Sequence, residues 1–192
     1  MKSIRSLNIK TSSRIILIAA ICLFESCSTS KKTSTPIKDV NTKKHASAGK
    51  NIPVRTIHTK NVSPDELVAF AETLTGIKYK YGSSNKEQGF DCSGFITYVF
   101  THFNIAVPRS SVEFTNAGKQ VGLSDSRKGD LILFTGSDTT GWIVGHMGII
   151  TENKKGKIAF IHSASGNNKG VMISGMSNYF VTRFVKVIRV FD

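Results

Sequence analysis

The sequence predicts an α+β domain in which helices come first and an antiparallel sheet follows. Three observations carry this expectation. Between Ser63 and Gly118, two capping boxes and apolar residues spaced by three and four mark helices. From Asp130 onward the apolar spacing changes to two, the period of strands. Gly, Asn and Lys turns separate the segments of that second half.

Each element has its own signal. Ser63-Pro-Asp-Glu66 is a capping box with Pro at the first helical position. Leu67, Val68, Phe70, Ala71 and Leu74 form the apolar stripe of that helix, and Gly76 is expected to end it. Residues 77–90 read as a loop. A second helix is expected from Asp91 to His102, with Phe95, Ile96, Val99, Phe100 and Phe103 recurring at three and four. Pro108 breaks the chain, and Ser110-Ser-Val-Glu113 opens a short helix that stops at Gly118. Strands are expected at Asp130–Phe134, Val144–Thr151, Ile158–Ser163, Val171–Ser174 and Phe184–Val190, giving a sheet of five to six strands. No internal repeat is visible. The domain is thus placed at residues 63–192.

The chain has 192 residues and a formal charge of +13, so the position of the charge decides its meaning. Residues 1–26 carry a net +3, residues 28–60 a net +7, and residues 61–192 only +3. The folded part is nearly balanced, which speaks against a nucleic-acid surface. Hydrophobic content of 40% suits one packed core and excludes a polytopic membrane protein. Residues 1–26 read as an export signal: a basic stretch to Arg14, then the apolar run Ile15–Phe24, too short for a mature membrane span. Ser26 and Cys27 follow and resemble a bacterial lipobox, with departures at Phe24 and Glu25. Cys27 is therefore expected to carry lipid, and the protein to be exported and held at a membrane. Ser28 after it resembles outer-membrane sorting. Residues 27–62 read as a basic, disordered tether rich in Ser, Thr, Lys and Asn. His45 and His58 lie in it.

Of three cysteines, Cys22 falls in the signal and Cys27 takes the lipid, which leaves Cys92 as a lone thiol in an exported protein. Exported thiols are normally paired, so Cys92 is either chemically useful or buried and inert. Asp91-Cys-Ser-Gly94 puts it in the first turn of a helix, with Asp91 as N-cap. The helix start is expected to favour the thiolate, and its N–H groups to hold a developing oxyanion. Ser93 and Gly94 are small and leave room for a substrate carbonyl. A base is then needed. His102 lies at the far end of the same helix, about 15 Å away, which excludes it. His146 and His162 remain, on strands joined by a hairpin turn at 153–157, where antiparallel pairing sets them side by side. His146, flanked by Gly145 and the nearby Gly148, is assigned as base, and His162 as the residue that orients it.

Five blocks of the chain, in order, resemble the NlpC family of papain-like cell-wall peptidases: Gly89-Phe-Asp-Cys-Ser-Gly-Phe95, Pro108-Arg-Ser-Ser111, Lys128-Gly-Asp-Leu-Ile-Leu-Phe134, Gly145-His-Met-Gly-Ile149 and Phe160-Ile-His-Ser163. The resemblance spans residues 64–190. It implies a papain-like NlpC fold, no metal or organic cofactor, and cleavage of peptidoglycan stem peptides or cross-links; the protein is expected to be a monomer. The bond implied joins D-glutamate to a diamino acid, or a diamino acid to D-Ala. It also implies Cys92 as nucleophile, His146 as base and His162 as third residue, with Asp91 and Ser93 shaping the site. Tyr79 matches a tyrosine that assists substrate or oxyanion, but the stretch reads Tyr79-Lys-Tyr-Gly-Ser83, so the role stays open between Tyr79 and Tyr81. Trp142, in the insert Ser137–Trp142, is either a cleft residue or a loop packing residue. An amidase or acyltransferase, and a silent wall-binding lipoprotein, are the rival readings.

Overall fold

The computed structural model describes residues 56–166 and 169–192. Cys27, the export signal and most of the tether lie outside the described residues. The first helix, α1 (Pro64–Glu72), begins as its sequence requires. Ser63 Oγ accepts from the Glu66 N–H at 3.2 Å, and the Ser63 N–H donates to Glu66 Oε2 at 2.9 Å. It ends at Glu72 with Thr73 as cap, four residues before Gly76. Gly76 instead takes a left-handed φ of 89° in the turn that follows. Leu67, Val68 and Ala71 are the buried face.

The expected loop at 77–90 contains a small hairpin, β1 (Ser84–Asn85) with β2 (Gly89–Phe90). It leads directly into α2 (Cys92–His102). Phe95, Ile96, Val99 and Phe100 are fully buried, so α2 is enclosed by the core. At roughly 2–3 kcal/mol for each apolar side chain removed from water, this helix start is held by packing as much as by its cap. His102 stacks on Phe70 of α1 with ring centroids 3.7 Å apart, a packing role. The segment after Pro108 is a 3-10 helix, Ser111–Asn116. Here the Ser110 N–H donates to Glu113 Oε2 at 3.1 Å, and the Ser110 hydroxyl also turns to that carboxylate.

The sheet has six antiparallel strands: β3 (Lys119–Val121), β4 (Leu131–Thr135), β5 (Val144–Lys154), β6 (Lys157–Ser163), β7 (Val171–Gly175) and β8 (Phe184–Arg189). Their spatial order is β3-β8-β4-β5-β6-β7. The five expected strands are present, and β3 is the added edge. A short helix, α3 (Asn178–Val181), connects β7 to β8. Leu131-Ile-Leu-Phe134 is apolar throughout because both faces of the sheet are covered. Leu131, Leu133 and Ile149 join the core under α1 and α2. Ile132, Phe134, Ile150 and Phe160 form a second cluster on the other face, with Phe180 packed on it.

The packed chain begins before Ser63. Ile57, placed by sequence in the tether, is 6% exposed and belongs to the main core, and Val62 packs against it. No helix among the described residues is long and apolar enough to cross a membrane.

Candidate active site

Cys92 is the first residue of α2, and Asp91 is its N-cap, accepting from the Gly94 N–H at 2.5 Å. Several bonds fix this corner. The Asp91 N–H donates to Ser83 O at 3.0 Å, and Ser163 Oγ of β6 donates to Phe90 O at 2.7 Å. A Cβ on Gly94 would stand 2.0 Å from Ser83 O, so only glycine lets the 79–83 loop press onto the first turn.

The thiol is buried, at 9% exposure. Its Sγ lies 3.7 Å from Gly145 O, and the Met147 N–H also points at it. Cys92 is therefore held against the two peptide groups that flank His146. That region of β5 is irregular: Phe134 pairs with His146 but Thr135 pairs with Val144, which leaves Gly145 bulged. Gly145 packs on Gly136, where a Cβ would meet Gly136 Cα at 2.6 Å.

His146 and His162 are joined directly, Nε2 to Nδ1 at 2.8 Å. The register Ile149↔Ile161 sets His162 opposite Gly148, so the two histidines are diagonal neighbours on one face. A Cβ on Gly148 would come within 3.2 Å of His162 Cβ and 2.8 Å of Phe160 Cδ2, so its bare Cα leaves the path between the imidazoles open. The glycines near His146 thus serve close backbone and ring approach more than access. His162 Nε2 in turn lies 2.9 Å from Ser174 Oγ of β7. Phe134, Phe160 and Phe180 surround the two imidazoles.

Charge in the site is arranged around Asp91. Arg109 Nη2 donates to Asp91 Oδ2 at 2.9 Å, and its Nη1 donates to Asp91 Oδ1 at 3.2 Å and to Ser93 Oγ at 3.0 Å. Ser93 Oγ donates to Asp91 Oδ1 at 3.2 Å. Burial, and then the Asp91 charge, push the Cys92 thiol up to about 11. The N–H groups of Ser93, Cys92 and Met147 pull the other way. The helix-start effect expected from sequence is thus present but outweighed, and the resting group is a thiol. Burial lowers His146 to about 4. Burial, followed by His146 and Lys169, lowers His162 to about 3. The resting site is therefore uncharged at Cys92 and at both imidazoles.

Tyr79 lies close enough to Cys92 and Asp91 to feel both charges. Burial first, and then those two groups, raise its hydroxyl above the usual tyrosine range. Tyr81 is 87% exposed and turned away to solvent. Trp142 is 50% exposed with a left-handed φ of 52°. Arg109 and Ser174 were not singled out from sequence. Arg109 was visible only as a member of a motif block, and Ser174 only through strand register. A thiol, a neutral imidazole bonded to a second, and N–H groups converging on the sulfur are the parts that nucleophilic acyl transfer requires.

The NlpC/P60 family model matches residues 76–189. The murein DD-endopeptidase MepS/murein LD-carboxypeptidase of Escherichia coli K12 is 37% identical over 139 residues, 71% of this chain and 66% of that protein. The gamma-DL-glutamyl hydrolase of Bacillus subtilis is 30% identical over 144 residues, 72% of this chain and 33% of that protein. The chain thus spans just under two thirds of the first relative's length and a third of the second's. Among solved structures, an NlpC/P60 family protein from Bacillus cereus superposes with a TM-score of 0.60 at 24% identity, covering 69% of this chain and 41% of that one. The NlpC/P60 domain of the peptidoglycan hydrolase SagA gives 0.54 at 26%, covering 67% and 99%. With the family model matching more than half of its residues and the same fold in solved members, the chain belongs to the NlpC/P60 family.

Proposed function

We propose that this chain is a cysteine endopeptidase that hydrolyses peptide bonds in peptidoglycan stem peptides or cross-links. The observation that carries the reading is the His146–His162 pair, bonded at 2.8 Å, on a strand whose Gly145 carbonyl and Met147 N–H, on either side of His146, meet the buried Cys92 thiol. Relatives named as murein endopeptidase and gamma-DL-glutamyl hydrolase support the substrate class.

The resting site starts neutral. As substrate enters, His146 takes the thiol proton while Sγ attacks the scissile carbonyl, so charge separates only during reaction. Nε2 of His146 is committed to His162, which leaves Nδ1 as the nitrogen that receives the proton. The N–H groups at the start of α2 hold the oxyanion. Tyr79, whose raised pKa keeps its hydroxyl protonated, assists them. The His146 imidazolium then gives its proton to the leaving amine, and an acyl-Cys92 thioester remains. Water, deprotonated by His146, attacks the thioester, releases the carboxylate product and restores the thiol. Asp91 and Ser93, tied to Arg109, shape the floor of the site, and Trp142 lines the cleft rim.

The bond cleaved joins D-glutamate to a diamino acid, or a diamino acid to D-Ala, and mass spectrometry of the products distinguishes them. Cys92→Ala should lower release of soluble fragments from purified sacculi by roughly a thousandfold or more. Release at the wild-type rate would overturn the reading. We further infer that the protein is exported, acts as a monomer and is anchored by lipid at Cys27 to the outer membrane. Cys27→Ser protein should then leave the membrane fraction, and its retention there would reject the anchor.

A further inference from the structure

We propose that Ser174 is a positioning residue whose hydroxyl oxygen accepts the His162 Nε2 proton and so fixes the tautomers of both histidines. This rests on the reading of His146 as general base and adds a residue outside the catalytic three. The geometry is a row of two short contacts: His146 Nε2 to His162 Nδ1 at 2.8 Å, then His162 Nε2 to Ser174 Oγ at 2.9 Å. Each neutral imidazole has one N–H and one bare nitrogen. Only two arrangements satisfy both contacts with both rings neutral.

In the first, His146 Nε2–H donates to His162 Nδ1, and His162 Nε2–H donates to Ser174 Oγ. His146 Nδ1 is then bare and able to take a proton from Cys92. In the second, every bond is reversed. The Ser174 hydroxyl donates to His162 Nε2, and His162 Nδ1–H donates to His146 Nε2. His146 then carries its proton on Nδ1 and cannot act as base there. Once His146 has become imidazolium, both of its nitrogens donate, so only the first arrangement remains. Ser174 must then accept.

The surroundings make that acceptor hard to replace. His162 is 2% exposed, which keeps bulk water from its ring. Phe160 and Phe180 wall it at centroid distances of 5.0 and 5.5 Å and offer no competing oxygen. Ser174 reaches it because β7 pairs Met172 with His162 and Ser174 with Phe160, so the serine is the diagonal neighbour on the same face.

The test compares wild type, Ser174→Ala and Ser174→Thr by imidazole 15N NMR, by the rate of Cys92 alkylation with iodoacetamide at neutral pH, and by kinetics on muropeptides. Wild type should hold His162 with Nε2 protonated. Ser174→Ala should move that proton toward Nδ1, slow alkylation, and lower kcat by roughly 10- to 100-fold with KM changed less than about twofold. Ser174→Thr should restore all three. If the alanine variant does not fold, Ser174→Cys, a poorer acceptor of similar size, serves the same comparison. A folded Ser174→Ala protein with wild-type alkylation and an unmoved His162 tautomer would overturn the proposal. Should wild type leave sacculi intact, the peptidase reading fails, while the tautomer and alkylation rates still decide the role of Ser174.

Discussion

Around Cys92, opposing influences act on one proton. Burial and the Asp91 carboxylate hold it on sulfur, and three backbone N–H groups favour its loss. Arg109 belongs to the second group, because its guanidinium covers Asp91 through both carboxylate oxygens and is itself stabilised by a Cys92 thiolate. Arg109→Met should therefore leave Asp91 bare and raise the thiol further. Iodoacetamide alkylation of Cys92 at neutral pH should slow by roughly threefold to tenfold, with Arg109→Lys in between. An unchanged rate would mean that the guanidinium does not act on the sulfur. At this scale the helix-start position of Cys92 and the meeting of His146 with His162 were legible in the sequence, since a capping residue and strand pairing suffice to suggest them. Arg109 and Ser174 were not. Arg109 reaches Asp91 across 18 residues, and Ser174 reaches His162 only because of strand register. Nor could the sequence weigh burial against the helix start, and that balance reversed the expected direction for the thiol.

At the level of elements, the site depends on backbones that approach more closely than side chains permit. The 79–83 loop rests on α2 at Gly94, the bulged Gly145 rests on Gly136, and His162 sits against Gly148. Gly94→Ala would place a methyl group 2.0 Å from Ser83 O and 2.9 Å from Asp91 Oδ1, neither of which can yield cheaply. A loss of about 2–4 kcal/mol in stability is expected from denaturant unfolding, with larger loss of activity as the helix start shifts. Stability within about 0.5 kcal/mol of wild type would contradict the packing described. The first capping box and the five longer strands could be read in advance because they are local patterns. The hairpin of β1 and β2 and the three-residue β3 could not. Such short pairs carry no period and exist only because a partner is near.

Across the whole molecule, the two neutral histidines link folding to pH. In the unfolded chain each imidazole titrates near 6.5. In the folded protein His146 is lowered to about 4 and His162 to about 3. Between those values the unfolded chain binds protons that the folded site refuses. Stability is thus fully present above pH 6.5 and falls as pH drops toward 3–4, by on the order of a few kcal/mol. Urea unfolding at pH 7 and pH 4.5 should show the decline, and it should be shallower when both histidines are replaced by Asn. Equal slopes would refute the linkage. Overall architecture was largely legible from sequence, because helices and strands segregate along the chain. The start of the packed region was not, since Ile57 sits between Arg55-Thr56 and His58-Thr59 with no helix or strand period around it, and only its place in the core reveals it.

The strand order carries a further consequence for how the molecule is made. β8 is the last of the six described strands in sequence, yet it lies inside the sheet between β3 and β4. Its Arg189 reaches back 59 residues to the buried Asp130, with contacts of 2.8 and 3.0 Å. Synthesis delivers the Cys92 helix and both histidine strands before this closing strand. Until it arrives, β4 has one open edge, β3 has no partner, and Asp130 lacks its counter-charge. A polypeptide halted before Phe184 would hold Cys92, His146 and His162 and no finished sheet to align them. The alignment of Cys92 with the two imidazoles therefore waits on a strand made after all of them, and far from them in sequence.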